Sequence, residues 1–212
     1  MTETAEPSTT QAGRGVRLPR TARRAQLLAA AQDVFVANGY HAAAMDEIAE
    51  RAGVSKPVLY QHFPGKLELY LAVLETHVDE LIARVRDALE STTDNKQRVQ
   101  AAVGVFYDFV DREGQAYRMV FESDLRGEPA VAEAVQRATS DSVDAITDTI
   151  TADAGLDADR ARLLAVGLVG LSQVTARAWL DGERKVSKEE AVALISNLAW
   201  KGIGGGFPLQ HP

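Results

Sequence analysis

Cysteine is absent from the 212 residues, which excludes a disulfide framework and any thiolate metal site. The four histidines, at positions 41, 62, 77 and 211, show neither HExxH nor ExxH spacing, so metal catalysis has no ligand set to begin from. Phosphate-cradling glycine loops are missing too; the run GIGGG that begins at Gly202 sits at the chain end and reads as a flexible tail. Gly170-Leu171-Ser172 opens a nucleophile-elbow pattern, but Val174 stands where the second glycine belongs and no strand precedes it. Alternating strand patterns are lacking, and the longest apolar run, around residues 165–171, is too short to cross a bilayer. The first residues do not read as a secretory signal. These gaps point away from an enzyme, a metalloprotein and a membrane protein, and toward a cytoplasmic all-α chain without catalytic residues, cofactor or metal.

Charge is unevenly placed. The net charge is −7, an unpromising balance for a polyanion-binding protein. Residues 13–66, however, carry eight basic and four acidic side chains, while residues 67–212 carry 15 basic and 24 acidic. A basic head on an acidic body can hold a phosphate backbone while the body resists nonspecific attachment.

The head is organised around residues 44–66, AMDEIAERAGVSKPVLYQHFPGK. Met45, Ile48, Ala49 and Ala52 have the spacing of one buried helix face. Gly53 stops that helix, as a left-handed residue after the last turn favours glycine. Ser55 is placed to cap a second short helix with its side chain, and Pro57 suits the first turn. Two short helices joined by such a turn form a helix-turn-helix. In the second helix Leu59 and Phe63, four residues apart, turn inward with Val54. That leaves Lys56, Pro57, Tyr60, Gln61 and His62 on a short rod of the size that enters the DNA major groove. A helix over 20–38 with an apolar stripe of Leu27, Leu28, Ala31, Val34 and Phe35 supports the motif, and Asn38-Gly39 ends it. Before it, Arg14, Arg17 and Arg20 recur every three residues, either as a solvated run or as an arm to phosphates or a minor groove.

The segment GYHAAAMDEIAERAGVSKPVLYQHFPGKLELYLAV, residues 39–73, resembles the signature of the TetR family of bacterial transcriptional regulators. Matching positions include Gly39, Tyr40, Ile48, Ala49, Gly53, Val54, Ser55, Lys56, Leu59, Tyr60, His62, Phe63, Lys66 and Leu69. Two departures stand out: Ala43 and Ala44 occupy a site where the family usually has Ser or Thr, and Pro57 replaces a frequent glycine. The resemblance implies a homodimer on palindromic double-stranded DNA. It points to Lys56, Tyr60, His62 and Lys66 as phosphate contacts and Gln61 as a base reader; Ser55, Tyr40, Arg14, Arg17 and Arg20 complete the expected DNA-binding set, with Pro57 offering an apolar contact to a thymine methyl in place of the family's glycine.

Beyond the head, an apolar pattern from Leu67 to Leu89 predicts a helix of about six turns. After a break at 92–96, helices are expected over 96–112, 115–125, 129–154, 157–181 and 187–203, with Asp157 and Ser187 as N-caps and Ser187-Lys188-Glu189-Glu190 as a capping box. Aromatic residues are only 6% of the chain, yet Phe106, Tyr107, Phe109, Val110, Tyr117, Met119, Val120 and Phe121 cluster here. By residue type they read as core or as a pocket. The TetR resemblance implies an effector pocket, to which Val174 and Trp179 are added, with Arg118 or Arg126 near an anionic head group. Gly167 and Gly170, with Arg162, Val166, Leu194 and Leu198, outline a smooth face for a two-fold helix bundle.

The expected organisation is a disordered tail over 1–13 and a helix-turn-helix domain with basic arm over 14–66. A larger helical effector-binding and dimerisation body follows over 67–205, then a tail over 206–212. Together with TTDNKQR and ARLLAVGLVGLS, the head is similar to actinobacterial regulators of fatty-acid synthesis, which implies a long-chain acyl-CoA effector. The alternatives are a repressor of an efflux or catabolic operon with another hydrophobic effector, and a helical lipid-binding protein that leaves DNA alone.

Overall fold

The computed structural model describes residues 18–112, 125, 127–182 and 184–206. The expected N-terminal tail, Arg14, Arg17, Tyr117, Arg118, Met119, Val120, Phe121, Arg126 and residues 207–212 lie outside the described residues. Among the described residues are eight helices and no strand: α1 (Arg20–Ala42), α2 (Met45–Arg51), α3 (Lys56–His62), α4 (Lys66–Glu90), α5 (Asn95–Arg112), α6 (Pro129–Ala154), α7 (Ala158–Asp181) and α8 (Lys188–Gly206).

The first three helices build the head. Leu27, Ala30, Ala31, Val34 and Phe35 of α1 are buried against Ile48 and Ala49 of α2 and Leu59 of α3. Gly39 breaks α1 at φ 72°, where the sequence places the helix end. Gly53 adopts φ 63° between α2 and α3, a region disfavoured for residues with a Cβ. Ser55 is the N-cap of α3, but its side chain makes no capping hydrogen bond, contrary to expectation. Its backbone does the work instead: the Ser55 carbonyl accepts from Val58 N at 2.9 Å.

Helix α4 starts at Lys66 and is 25 residues long, about seven turns and about 37 Å, rather than the expected six turns. Its buried face runs from Leu69 through Val73, Leu74, Val78, Leu81 and Val85 to Leu89. The head end packs on α1, and the remainder packs on α5 and α6. One rigid element therefore reaches from the head through the body.

In the body, Gly155 closes α6 in the left-handed conformation at φ 62°. Asp157 then caps α7, its Oδ1 accepting from Arg160 N at 3.0 Å. Ser187 Oγ accepts from Glu190 N at 3.2 Å at the start of α8. Both caps stand where the sequence places them. Helix α8 continues to Gly206 across a kink at Gly202, φ 68°, so the GIGGG run up to that residue is helix rather than tail.

Candidate nucleic-acid interface

Helix α3 is a short rod with one apolar side. Leu59 is fully buried and Phe63, just past the helix end, nearly so. Lys56, Pro57, Tyr60 and Gln61 are exposed and His62 is half-buried, which brings the expected face together. The turn is fixed by Val54 N donating to Ala49 O at 3.0 Å and Gly53 N to Glu50 O at 2.9 Å. Lys56 Nζ lies 2.6 Å from Asp46 Oδ1 at the start of α2. Its hydrogen bond with Asp46 raises the ammonium pKa, helped by the carboxylate charge. Both partners are exposed, so a phosphate can take over the lysine at small cost.

A cationic cluster adjoins the end of α3. The His62 imidazole is pushed below its usual pKa, first by burial and then by the charges of Arg20, Arg24 and Arg23. The Arg24 guanidinium sits 4.4 Å above the Phe63 ring, a cation–π contact that orients it. Arg23 Nη1 donates to Gln26 Oε1 at 2.8 Å, and Gln26 Nε2 in turn donates to Ala52 O at 2.7 Å, tying α1 to the turn. Arg20 was expected at a DNA surface; Arg23 and Arg24, not singled out from the sequence, stand beside it near the end of α3. Their i+3 and i+4 spacing from Arg20 is the signal that places all three on one helix face.

Lys66 and Tyr40 depart from expectation. Lys66 Nζ donates to Tyr40 O at 2.8 Å, Ala43 O at 2.9 Å and His41 O at 3.1 Å. An ammonium has three donors, so all are spent on carbonyls of the segment joining α1 to α2. Lys66 thus fastens α4 to the head instead of presenting its charge to a phosphate. The Tyr40 ring packs against Phe35 at 6.1 Å and edge-on to Tyr70 at 5.3 Å. Burial and then the charges of Glu128 and Glu68 raise its hydroxyl pKa.

The body holds an open cleft of about 620 Å³. Leu89 of α4, Val99, Ala102, Val103 and Phe106 of α5, and Ile146 and Ile150 of α6 line it, with Leu163, Leu164, Gly167, Leu168 and Leu171 of α7 and Trp200 of α8. The polar lining is Asn95, Arg98, Thr149, Asp153 and Ser172. Of the described residues expected around an effector, only Phe106 borders this cleft. Residues 99, 102, 103 and 106 form the lining stripe of α5, and Phe109 and Val110 continue it one turn further, into the core. Tyr107 faces α7, with its ring 5.7 Å from Trp179. Trp179 Nε1 donates to Val186 O at 2.8 Å, and Val174 is 68% exposed, so neither residue reaches the cleft.

The residues expected at a subunit interface lie along α7 and α8. Val166 and Leu194 are exposed, Leu198 is half-buried and Arg162 pairs with Asp144. A Cβ added at Gly167 or Gly170 would meet no atom within 4 Å, so this side of α7 is open. By length and composition alone α7 could cross a membrane, a consequence of its exposed leucines and valines. Among the described residues no three His, Asp or Glu side chains converge as a metal site.

Residues 27–73 match the sequence model of the bacterial regulatory proteins of the tetR family, and residues 95–202 match the tetracyclin repressor-like C-terminal domain. The chain belongs to the TetR family. It is 57% identical over 190 residues, 90% of this chain and 87% of the relative, to the HTH-type transcriptional activator FasR of Mycolicibacterium smegmatis. Its fold is similar to a TetR-like transcriptional regulator from Rhodococcus sp. RHA1, with a TM-score of 0.70 and 27% identity over 89% of this chain and 100% of that one. It also resembles FadR of Bacillus subtilis, solved in complex with stearoyl-CoA, with a TM-score of 0.67 and 19% identity over 84% of this chain and 98% of that one. As a TetR-family protein the chain is a DNA-binding transcriptional regulator, not an enzyme.

Proposed function

We propose that this TetR-family regulator binds a palindromic operator as a homodimer and that a long-chain acyl ligand, acyl-CoA foremost, changes its affinity for DNA. The exposed side of α3 supports the DNA mode. Leu59 and Phe63 hold the helix from within, leaving Lys56, Pro57, Tyr60 and Gln61 outward. Gln61 can pair with an adenine edge, and Pro57 can touch a thymine methyl. Lys56, Arg20, Arg23 and Arg24 supply cations for the flanking phosphates.

The observation that carries the effector reading is the cleft. Its aliphatic lining suits an acyl chain, and it is walled in part by Leu89, near the end of the helix that Lys66 fastens to the head. A ligand that favours one placement of α4 can therefore favour one spacing of the two heads, provided it binds the two arrangements with different affinity. The stearoyl-CoA found in the B. subtilis FadR structure, and the likeness to fatty-acid regulators, favour acyl-CoA and a role in lipid-synthesis genes. Homodimers are typical of the family, and the exposed apolar side of α7 and α8 is the surface for one.

The experiment is selection of genomic fragments by the purified protein, then measurement of affinity for a selected fragment at several salt concentrations with and without hexadecanoyl-CoA. Specific binding that weakens with salt and shifts on addition of acyl-CoA is the expected result. Specific binding indifferent to hexadecanoyl-CoA, other hexadecanoyl lipids and efflux substrates alike would overturn the effector reading and leave the DNA reading intact.

A further inference from the structure

The cleft has one cationic side chain among its described lining residues, Arg98 of α5. Its surroundings hold it in one place. Nε donates to Leu89 O at 2.9 Å and Thr92 O at 2.7 Å, both at the end of α4 and the turn that follows. Nη1 donates to Asn95 Oδ1 at 2.9 Å and to Asp153 Oδ2 of α6. The Arg98 side chain is 17% exposed, while that of Asp153 is 34% exposed. Asn95 and Asp153 also line the cleft, so three of its polar residues gather around one guanidinium in a largely apolar surface.

We infer that Arg98 is a subsite for an anionic head group, taking the carboxylate or phosphate of an amphipathic acyl ligand in exchange for Asp153. This rests on the effector reading above. The backbone carbonyls keep the Nε edge of the guanidinium fixed, and Nη2 donates to none of the described residues. A planar, always-charged fork held in this way matches a carboxylate or phosphate in a two-point contact. The exchange conserves charge: one anion arrives at Arg98, and Asp153, the more exposed partner, turns to water. A neutral ligand cannot make that exchange, because it would leave an ion pair intact where its head group belongs. Selectivity for anionic amphiphiles follows from this difference. The same guanidinium holds the Leu89 carbonyl, so a head group drawing on Arg98 acts on the side chain that anchors the end of α4.

The test is calorimetric titration of the full-length protein with hexadecanoyl-CoA, hexadecanoate and 1-hexadecanol below their micelle thresholds, for wild type, R98Q and D153N. The expected wild-type result is binding of at least one anionic ligand about tenfold or more tightly than the alcohol. R98Q should erase that preference while binding the alcohol as wild type does. D153N keeps Arg98 and removes its competitor, so it should bind the anionic ligand severalfold more tightly. A stronger effect on hexadecanoate assigns Arg98 to a carboxylate, and one on the thioester assigns it to a phosphate. An anionic preference that survives R98Q, or one that D153N leaves unmoved, overturns the subsite; D153N alone decides if R98Q does not fold. Equal wild-type affinity for all three ligands overturns the subsite and leaves the apolar effector standing. Binding of none of them overturns both.

Discussion

Lys66 and Tyr40 meet twice: the Lys66 ammonium donates to the Tyr40 carbonyl at 2.8 Å and lies 4.6 Å above the centre of the Tyr40 ring. They stand twenty-six positions apart in the chain, with all of α2 and α3 between them. The contact closes the helix-turn-helix into a loop fastened at its base by the first residue of α4. Carbonyls after a broken helix end need donors, and this lysine supplies Tyr40, His41 and Ala43 at once. Lys66 thereby ties the start of α4 to the segment that introduces α2.

Replacing Lys66 with methionine keeps most of the side-chain length and removes the three donors. Charged hydrogen bonds of this kind contribute about 1.5–3 kcal/mol each when buried, and Lys66 is only half-buried, so a total loss of about 1–3 kcal/mol is expected. Chemical denaturation measures it. Operator affinity should fall as the head loosens, but the slope of log affinity against log salt should stay at the wild-type value. A slope reduced by about one would mean that a phosphate contact had been removed, and the fastening role would be wrong.

Arg20, Arg23 and Arg24 should behave in the opposite way. Each lies near His62 at the end of α3, and alanine at any one of them should lower the salt slope by about one unit while leaving sequence preference unchanged. Arg24 has a second attachment, its position 4.4 Å above Phe63. R24A should therefore also cost a little stability, about 0.5–1 kcal/mol for an exposed cation–π contact. Salt titrations of the three variants on specific and scrambled fragments check both statements.

His62 should give the candidate interface a pH dependence. In the free protein its pKa lies below the ordinary 6.5 because of burial and the neighbouring arginines. The folded state thus binds the proton less well than the unfolded chain: this contribution to stability is present above 6.5 and is lost as pH falls from 6.5 through the lower folded value. Operator phosphates next to the arginines offset their repulsion and favour the imidazolium. DNA binding should then take up a proton, and affinity should rise as pH falls from about 8 to about 5.5. H62Q should flatten that rise; an equally steep rise in H62Q would assign it to another group.

Much of the head was legible because short helices leave few choices. Once Leu59 and Phe63 are turned inward, a period of 3.6 residues fixes which side of α3 faces out, and only a residue tolerant of φ 63° suits position 53. The partners of Lys66 were not legible. A lysine near a helix start fits a phosphate equally well on paper, and its acceptors become neighbours only when α4 folds back against α1. The cleft was missed for a related reason. Aromatic scarcity drew attention to 106–121, yet the lining is mostly aliphatic and is assembled from residues as distant as Leu89 and Trp200. Tyr107 and Phe109 serve the core instead, while Arg98 is an ordinary helix arginine until Asp153, fifty-five residues away, is brought beside it.

The apolar side of α7 and α8 yields a test in which folding and assembly separate cleanly. Val166 and Leu194 are exposed in the single chain, and neither borders the cleft. Aspartate at both positions should therefore leave the subunit folded, with an unchanged helical circular-dichroism spectrum, since an exposed substitution away from special features usually shifts stability by no more than about 0.5 kcal/mol. Buried across a two-fold axis, the same carboxylates would meet their own copies without compensating partners, and the pair should come apart. Sedimentation should show a dimer for wild type and a monomer for V166D/L194D. Operator affinity should drop by about a hundredfold or more, because each head then binds its half-site without the avidity of the other. A double variant that stays dimeric at the same concentration would place the interface elsewhere on the body, while a monomeric variant with full operator affinity would mean that a single head suffices.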